Sequence, residues 1–301
     1  MTAALFLGTP DAAVPTLRTL SRLANVIGVV TQPDRARGRS ARPEPSPVKR
    51  VSEDLGLTVH QPSRMTDLVE MAAQADIGVL VAFGRIVPKR LLEAPRLGMV
   101  NVHFSSLPRW RGAAPVQRAI LGGDTRTGVS LMQMDEGLDT GPVLAGCQTP
   151  IGSNENAGEL TDRLAVLGAD QLAASFGDLL AGDLEPVAQD GALVTEAPSF
   201  STDDARLDLG AGADSVLRTV RAFSPKPGAW AILDGERFKL LAARQMAASC
   251  AAGEIRQVEG VVALGTAGGA VELVEVQPAG KPLMAADAWF NGRRREPARL
   301  S

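Results

Sequence analysis

The chain has 301 residues, 45% of them hydrophobic, enough for one large or two ordinary domains with filled cores. A formal net charge of −3 excludes a polycation, so any nucleic-acid contact must rest on local basic clusters. Its two cysteines, Cys147 and Cys250, stand far apart without CxxC spacing, which argues against a disulfide framework or zinc site, and no metal is expected. The opening MTAALFLGTPDAA has a short apolar part and no basic flank, and no run of 18 apolar residues occurs, so a cytoplasmic protein without a membrane partner is expected.

In chain order, ALFLG predicts a buried strand that stops at Gly8-Thr9-Pro10-Asp11, and residues 12–23 carry helical spacing. Pro10 stands where a dinucleotide-binding loop would need its second glycine, which weakens a dinucleotide reading of this β-turn-α opening. The strand NVIGVVT empties into QPDRARGRSARPEPSP, a long loop without periodicity that holds Arg35, Arg37, Arg39 and Arg42 against Asp34 and Glu44. Such a loop is either functional or a solvated charge run. Ser46 and Pro47 predict the cap and first turn of a helix, and His60 ends the next strand with no chemical partner, so it reads as structural. A helix over residues 67–75, the buried strand DIGVLVA and a loop over residues 83–88 follow.

GMVNVH predicts a strand ended at His103 by the turn signal Ser-Ser-Leu-Pro, and Asn101 and His103, two apart on a period-2 element, point the same way. A second strand, GVSLMQM, runs into an acidic, glycine-bearing loop over residues 135–141. We expect two strand ends to bring an amide, an imidazole and carboxylates to one rim. An amide can donate to a developing oxyanion, an imidazole can relay a proton and a carboxylate can orient it, a set suited to acyl transfer. The alternative is a satisfied core histidine beside a strand-end asparagine.

Helix 115–121, strand 142–150 and a long helix ending at Gly182 complete the first domain, assigned to residues 1–188. The polar, proline-bearing stretch 189–206 reads as a linker. Residues 207–301 open with a helix near 213–222 and continue in short β-rich runs joined by Gly and Asp turns, the pattern of a small barrel. From Arg206 onward there are 13 Lys/Arg and 10 Asp/Glu, a local basic excess in a chain of net negative charge.

NVHFSSLPRWRGAAP followed by TGVSLMQMDEGLDTGP, with LGTPDAAVPTL, VTQPDRARGR, PSPVK, VAFGRIVP, AFSPKPGAW, VQPAGK and NGRR, resembles the 10-formyltetrahydrofolate-dependent formyltransferases over nearly the whole chain. The resemblance is strongest to the members that act on methionyl-tRNA. It implies an α/β fold, a Rossmann-like domain with a mostly parallel sheet, followed by a small OB-like β-barrel. It further implies a one-carbon transferase that moves a formyl group from 10-formyltetrahydrofolate to the α-amine of methionyl-initiator tRNA, in support of translation initiation. By match to the family pattern the catalytic residues are Asn101, His103 and Asp139, with Asp135 as the competing carboxylate. Folate contacts fall on Phe83, Gly84, Arg85, Ile86, Val87, Ser106, Leu107, Pro108, Asp135 and Gly137. Arg35, Arg37, Arg39 and Arg42 fall on the loop that engages the acceptor arm, with Arg39 at its key position, and a monomer is expected. Ser40, Ala41, Arg85 and Ser106 depart from the common pattern, and SFSTDDAR lacks lysines that relatives carry. Arg85 would reach the folate glutamate tail or point to water. Rival readings are a formyltransferase for a small amine and a non-catalytic RNA-binding protein on the same scaffold.

Overall fold

The computed structural model describes residues 1–36 and 43–301; Arg37, Arg39, Ser40, Ala41 and Arg42 lie outside the described residues. By its contacts the chain forms two units, one of residues 1–115, 126–149 and 161–198, the other of residues 116–125, 150–160 and 199–301.

The first unit is built on β1 (Ala3–Gly8), α1 (Val14–Leu23), β2 (Asn25–Val30), β3 (Arg35–Ala36), β4 (Pro43–Glu44), α2 (Pro47–Asp54), β5 (Val59–His60), α3 (Val69–Ala72), β6 (Ile77–Val81), α4 (Lys89–Leu92) and β7 (Met99–His103). After α5 (Pro115–Leu121) come β8 (Arg126–Gln133), β9 (Val143–Pro150) and α6 (Ala157–Ala181). The seven-stranded sheet runs β5-β2-β1-β6-β7-β8-β9. From β5 to β7 every pairing is parallel, and the apolar runs ALFLG and IGVLV are buried, as parallel strands covered on both faces require.

Local signals explain the ends of these elements. The Ser46 hydroxyl accepts the Lys49 N–H at 3.0 Å and Pro47 opens α2, so the cap written in the sequence is made. The helix expected over residues 67–75 is shorter: a 3-10 turn, Met65–Leu68, leads into α3, and the N–H groups of Gln74 and Ala75 bond three residues back, tightening the last turn. The arginine loop has ordered roots, because β3 pairs with β4 and Asp34 accepts Lys49 Nζ at 2.7 Å and Gln61 Nε2 at 2.7 Å. The Lys49 hydrogen bond, with that from Gln61, holds the Asp34 carboxyl below the usual aspartate range.

Helix α6 has 25 residues and is apolar enough in composition to span a bilayer. It carries Asp170 and Asp178 and buries Leu164, Ala165, Ala169 and Leu172, as a core helix does. Gly168 lets it approach the sheet closely: a Cβ there would lie 2.7 Å from Val102 Cγ1.

The second unit contains α7 (Ala213–Phe223), β10 (Ala229–Leu233), β11 (Glu236–Met246), β12 (Glu254–Val258), β13 (Val261–Thr266), β14 (Gly269–Gln277), β15 (Met284–Ala285), α8 (Ala286–Gly292) and β16 (Ala298–Arg299). Its sheet runs β10-β11-β14-β13-β12-β16, with neighbouring strands antiparallel. An antiparallel bridge from Leu233 to Leu300, with reciprocal bonds between Ile232 and Ser301 at 2.8 and 2.9 Å, joins the first strand to the last and closes the barrel. Phe238 and Trp289, centroids 4.6 Å apart, sit in a core with Val220, Leu264 and Phe290.

Two assignments from the sequence divide differently. Residues 189–198 of the expected linker belong to the first unit and 199–206 to the second. Most of α5 and the residues before Thr161 group with the barrel, for physical reasons visible within that unit. Arg118 lies 4.0 Å over the Phe200 ring, and Arg221 Nη1 donates to the carbonyls of Gly152 and Ser153.

Because Gly168 permits the contact that seats the β7 strand, Gly168→Ala should destabilise the protein by about 1–3 kcal/mol through overpacking. Urea denaturation measures this; unchanged stability would mean that Val102 yields freely.

Candidate functional site

β7 has two unlike faces, set by its period of two. Val102 packs toward α6 at Gly168, whereas Asn101 and His103 point the other way. Both are deeply buried, 7% and 6% exposed. The expectation that two strand ends meet at one rim is corrected here. β8 is antiparallel to β7, pairing Val100 with Gln133 and His103 with Ser130, so the acidic loop leaves β8 beside the amino end of β7. That loop then folds back over the polar face of β7, which is how Asp139 arrives there.

The Asp139 carboxylate is the meeting point. Oδ1 accepts Asn101 Nδ2 at 3.2 Å, Oδ2 accepts the Gly112 N–H at 2.9 Å, and His103 Nδ1 lies 3.6 Å from Oδ2. His103 Nε2 is 3.0 Å from the Trp110 carbonyl oxygen. A carbonyl can only accept, so Nε2 carries the hydrogen and Nδ1 is the nitrogen turned toward Asp139. One hydrogen of the Asn101 amide is committed to Asp139, which leaves the second for another acceptor.

Around these groups the chain is held in uncommon conformations. Asp139 has φ +54° and Trp110 φ +64°, left-handed values that non-glycine residues keep only where the surroundings fix them. Trp110 donates its N–H to Thr195 Oγ1 at 2.8 Å, and Arg111 and Ala114 pair with residues 195–197 through backbone bonds. The Ser130 hydroxyl accepts the Leu107 N–H at 3.0 Å and donates to the Ser105 carbonyl at 2.8 Å, pinning the Ser-Ser-Leu-Pro turn to β8. Gln189 donates to the carbonyls of Asp139 and Gly141 at 2.9 and 2.7 Å.

Asn101, His103 and Asp139 are therefore brought together. The loop 83–87 is tied instead to the loops that follow β1 and β2: Thr9 Oγ1 and Gln32 Nε2 donate to the Phe83 carbonyl at 3.1 and 2.8 Å. Arg85 donates to the carbonyls of Pro62 and Ser63 at 2.8 and 3.0 Å, so two of its donors brace the loop. Phe83 and Val87 are buried, while Ile86 is 92% exposed. Asp135 accepts the Gly137 N–H and the Thr140 hydroxyl at 3.0 and 2.6 Å, a loop-forming arrangement. The Ser106 hydroxyl is buried without a hydrogen-bond partner, in space left by Gly128, and Arg35 is exposed on β3. Among the described residues no group of three or more His, Cys, Asp or Glu side chains is placed to hold a metal ion.

Sequence reasoning passed over Trp110, Gly112, Gln189 and Thr195. Trp110 and Gly112 lay within the quoted motif but had no assigned task, and nothing in the polar stretch 189–206 signalled Gln189 or Thr195.

Comparison with known proteins decides the family. Residues 6–175 match the formyl transferase family model and residues 200–294 that of the formyl transferase C-terminal domain. The chain belongs to the formyl transferase family. This formyltransferase is 47% identical over 289 residues to the methionyl-tRNA formyltransferase of Paracoccus denitrificans (strain Pd 1222), covering 94% of this chain and 95% of that one. It is 46% identical over 300 residues to the methionyl-tRNA formyltransferase of Halorhodospira halophila (strain DSM 244 / SL1), covering 97% of each. Among solved structures it shares the fold of WlaRD, a sugar 3N-formyl transferase, with TM-score 0.68 at 18% identity, covering 94% of this chain and 99% of that one. HypX from Aquifex aeolicus in complex with tetrahydrofolic acid matches with TM-score 0.67 at 18% identity over 95% of this chain, which spans 46% of that protein. The Rossmann-like sheet followed by an antiparallel barrel is the architecture expected from the sequence.

Gly112 has φ +126°, and a Cβ there would lie 2.6 Å from the Ala197 carbonyl oxygen. Gly112→Ala should therefore cost about 1–3 kcal/mol of stability in backbone strain alone, read by chemical denaturation. Wild-type stability would show that the pairing of residues 111–114 with 195–197 is not firmly held.

Proposed function

We propose that this formyltransferase moves a formyl group from 10-formyltetrahydrofolate to the α-amine of methionyl-initiator tRNA. The observation that carries the reading is identity of 46–47% to two proteins named methionyl-tRNA formyltransferase, along matches that include both the sheet and the barrel. The small-amine reading rests on fold likeness to sugar formyltransferases such as WlaRD, at 18% identity.

The site suits that reaction. When the amine adds, the formyl oxygen becomes negative, and a preformed donor there contributes about 2.7–4 kcal/mol. We assign this task to the second amide hydrogen of Asn101, whose first is anchored on Asp139. Proton removal from the attacking amine by a positioned group contributes about 10²–10⁴-fold. His103 Nδ1 and the Asp139 carboxylate, 3.6 Å apart, are the pair that takes it, since Nε2 is committed to Trp110; a proton returned to the folate N10 as its bond to the formyl carbon breaks lets tetrahydrofolate leave.

The neighbouring loops fit a flat, partly apolar donor. Ile86 and Leu138, one on each of the two loops proposed to contact it, are 92% and 71% exposed. Phe83, Gly84, Ile86, Val87, Leu107, Pro108 and Gly137 would supply backbone and aliphatic surface, Arg85 and Asp135 hold their own loops in shape, and Ser106 keeps an unpartnered hydroxyl. The arginine loop, with Arg35, Arg37, Arg39 and Arg42, is assigned to the tRNA phosphates, which arginine engages through paired donors.

The purified protein should formylate methionyl-initiator tRNA with 10-formyltetrahydrofolate. Asn101→Ala and His103→Ala should each lower kcat about 10²–10³-fold in a folded protein. Asp139→Asn should nearly abolish turnover and Asp135→Asn retain far more of it; the reverse order would overturn the assignment. Arg39→Ala should lower kcat/KM for methionyl-tRNA and flatten its salt dependence by roughly one unit, leaving the folate Kd within about twofold. Wild-type kinetics at every salt concentration would reduce the loop to a solvated charge run.

A further inference from the structure

Asp139 sits at left-handed φ in a loop that is mostly exposed, yet its carboxylate must stay fixed relative to Asn101, Gly112 and His103. Asp135 with Thr140, and Glu136 with Lys89 at 2.6 Å, tie down the outer part of the loop through exposed groups, which hold position weakly. The firm tether comes from elsewhere in the chain. Gln189 Nε2 reaches the Asp139 carbonyl at 2.9 Å and the Gly141 carbonyl at 2.7 Å, one hydrogen to each, and Oε1 accepts Arg111 Nε at 2.9 Å. Arg111 can only donate, so the amide orientation is fixed by chemistry, and no part of it is left for a substrate. The segment that carries Gln189 is itself anchored, since Val187 and Val143 exchange backbone bonds at 2.9 Å in both directions. Arg111 in turn adjoins Gly112, whose N–H holds the other side of the same carboxylate.

We infer that Gln189 is a positioning residue that fixes the Asp139 carboxylate for formyl transfer by clamping the backbone on either side of Thr140. The inference rests on the role given to Asp139 above. Gln189 touches neither reacting group; it acts by keeping the carboxylate in register, and misplacement on the order of 1 Å at such a group costs about 10²-fold in rate.

The decisive variant is Gln189→Glu, which keeps an acceptor for Arg111 and replaces the two donors by an oxygen facing two carbonyls. Formylation of methionyl-tRNA should show kcat lower by about tenfold or more, with KM for both substrates within about twofold and a melting temperature within a few degrees of wild type. In an Asp139→Asn background, single-turnover rates should fall less than about twofold further, because the residue acts through Asp139. If Gln189→Glu does not fold, Gln189→Met, similar in length but without hydrogen bonds, carries the same expectation. Unchanged kcat, a loss confined to KM, or full additivity with Asp139→Asn would overturn the inference while the role of Asp139 stands. If Asp139→Asn itself turns over normally, the reading beneath it fails and the inference falls with it.

Discussion

A single carboxylate sets the terms for the rest of the site. Asp139 takes one hydrogen from the Asn101 amide and one from the Gly112 backbone, and it confronts His103 Nδ1 while the Trp110 carbonyl holds the opposite ring nitrogen. With its side chain only 11% exposed, the carboxylate has little water to stabilise it, and these donors take that place. A buried negative group with two oriented donors fixes the asparagine amide and the Gly112 backbone beside the imidazole, and the strained backbone on each side is the cost of bringing them together.

The fold exists to present one face of one strand. β7 turns Val102 toward α6, where Gly168 admits it, and turns Asn101 and His103 toward the loops. Because β8 is antiparallel, its outgoing loop must double back to cover that face, and a second layer is needed to keep it there. Residues 187–197 supply the layer through Gln189, Thr195 and backbone pairing, so a segment with the composition of a linker serves as the strap of that face.

Much of this was legible in the sequence, because it depends on local rules. The run GMVNVH with its period of two put Asn101 and His103 on one face, Ser46-Pro47 marked a helix start, and the short β-rich runs joined by Gly and Asp turns announced the barrel strands. What stayed hidden depends on pairing direction and on distant partners. Nothing local in GVSLMQM tells a strand to run antiparallel, so the acidic loop was expected at the wrong end of β7. Gln189 and Thr195 are ordinary polar residues in a proline-bearing stretch, and their partners lie 50 and 85 residues away. Helix α8 follows a glycine- and proline-rich turn and carries aromatic residues that suit the barrel core, which masked it among β-rich runs.

The protein has two histidines, so His103 can be observed directly in solution by NMR of protein labelled with nitrogen-15 histidine. If the Trp110 carbonyl holds the ring as described, the neutral form of His103 carries its proton on Nε2 and leaves Nδ1 bare toward Asp139. Two nitrogen signals with that assignment, lost or reordered in Asp139→Asn, are the expected result. A neutral His103 protonated on Nδ1, with a spectrum indifferent to Asp139→Asn, would contradict it.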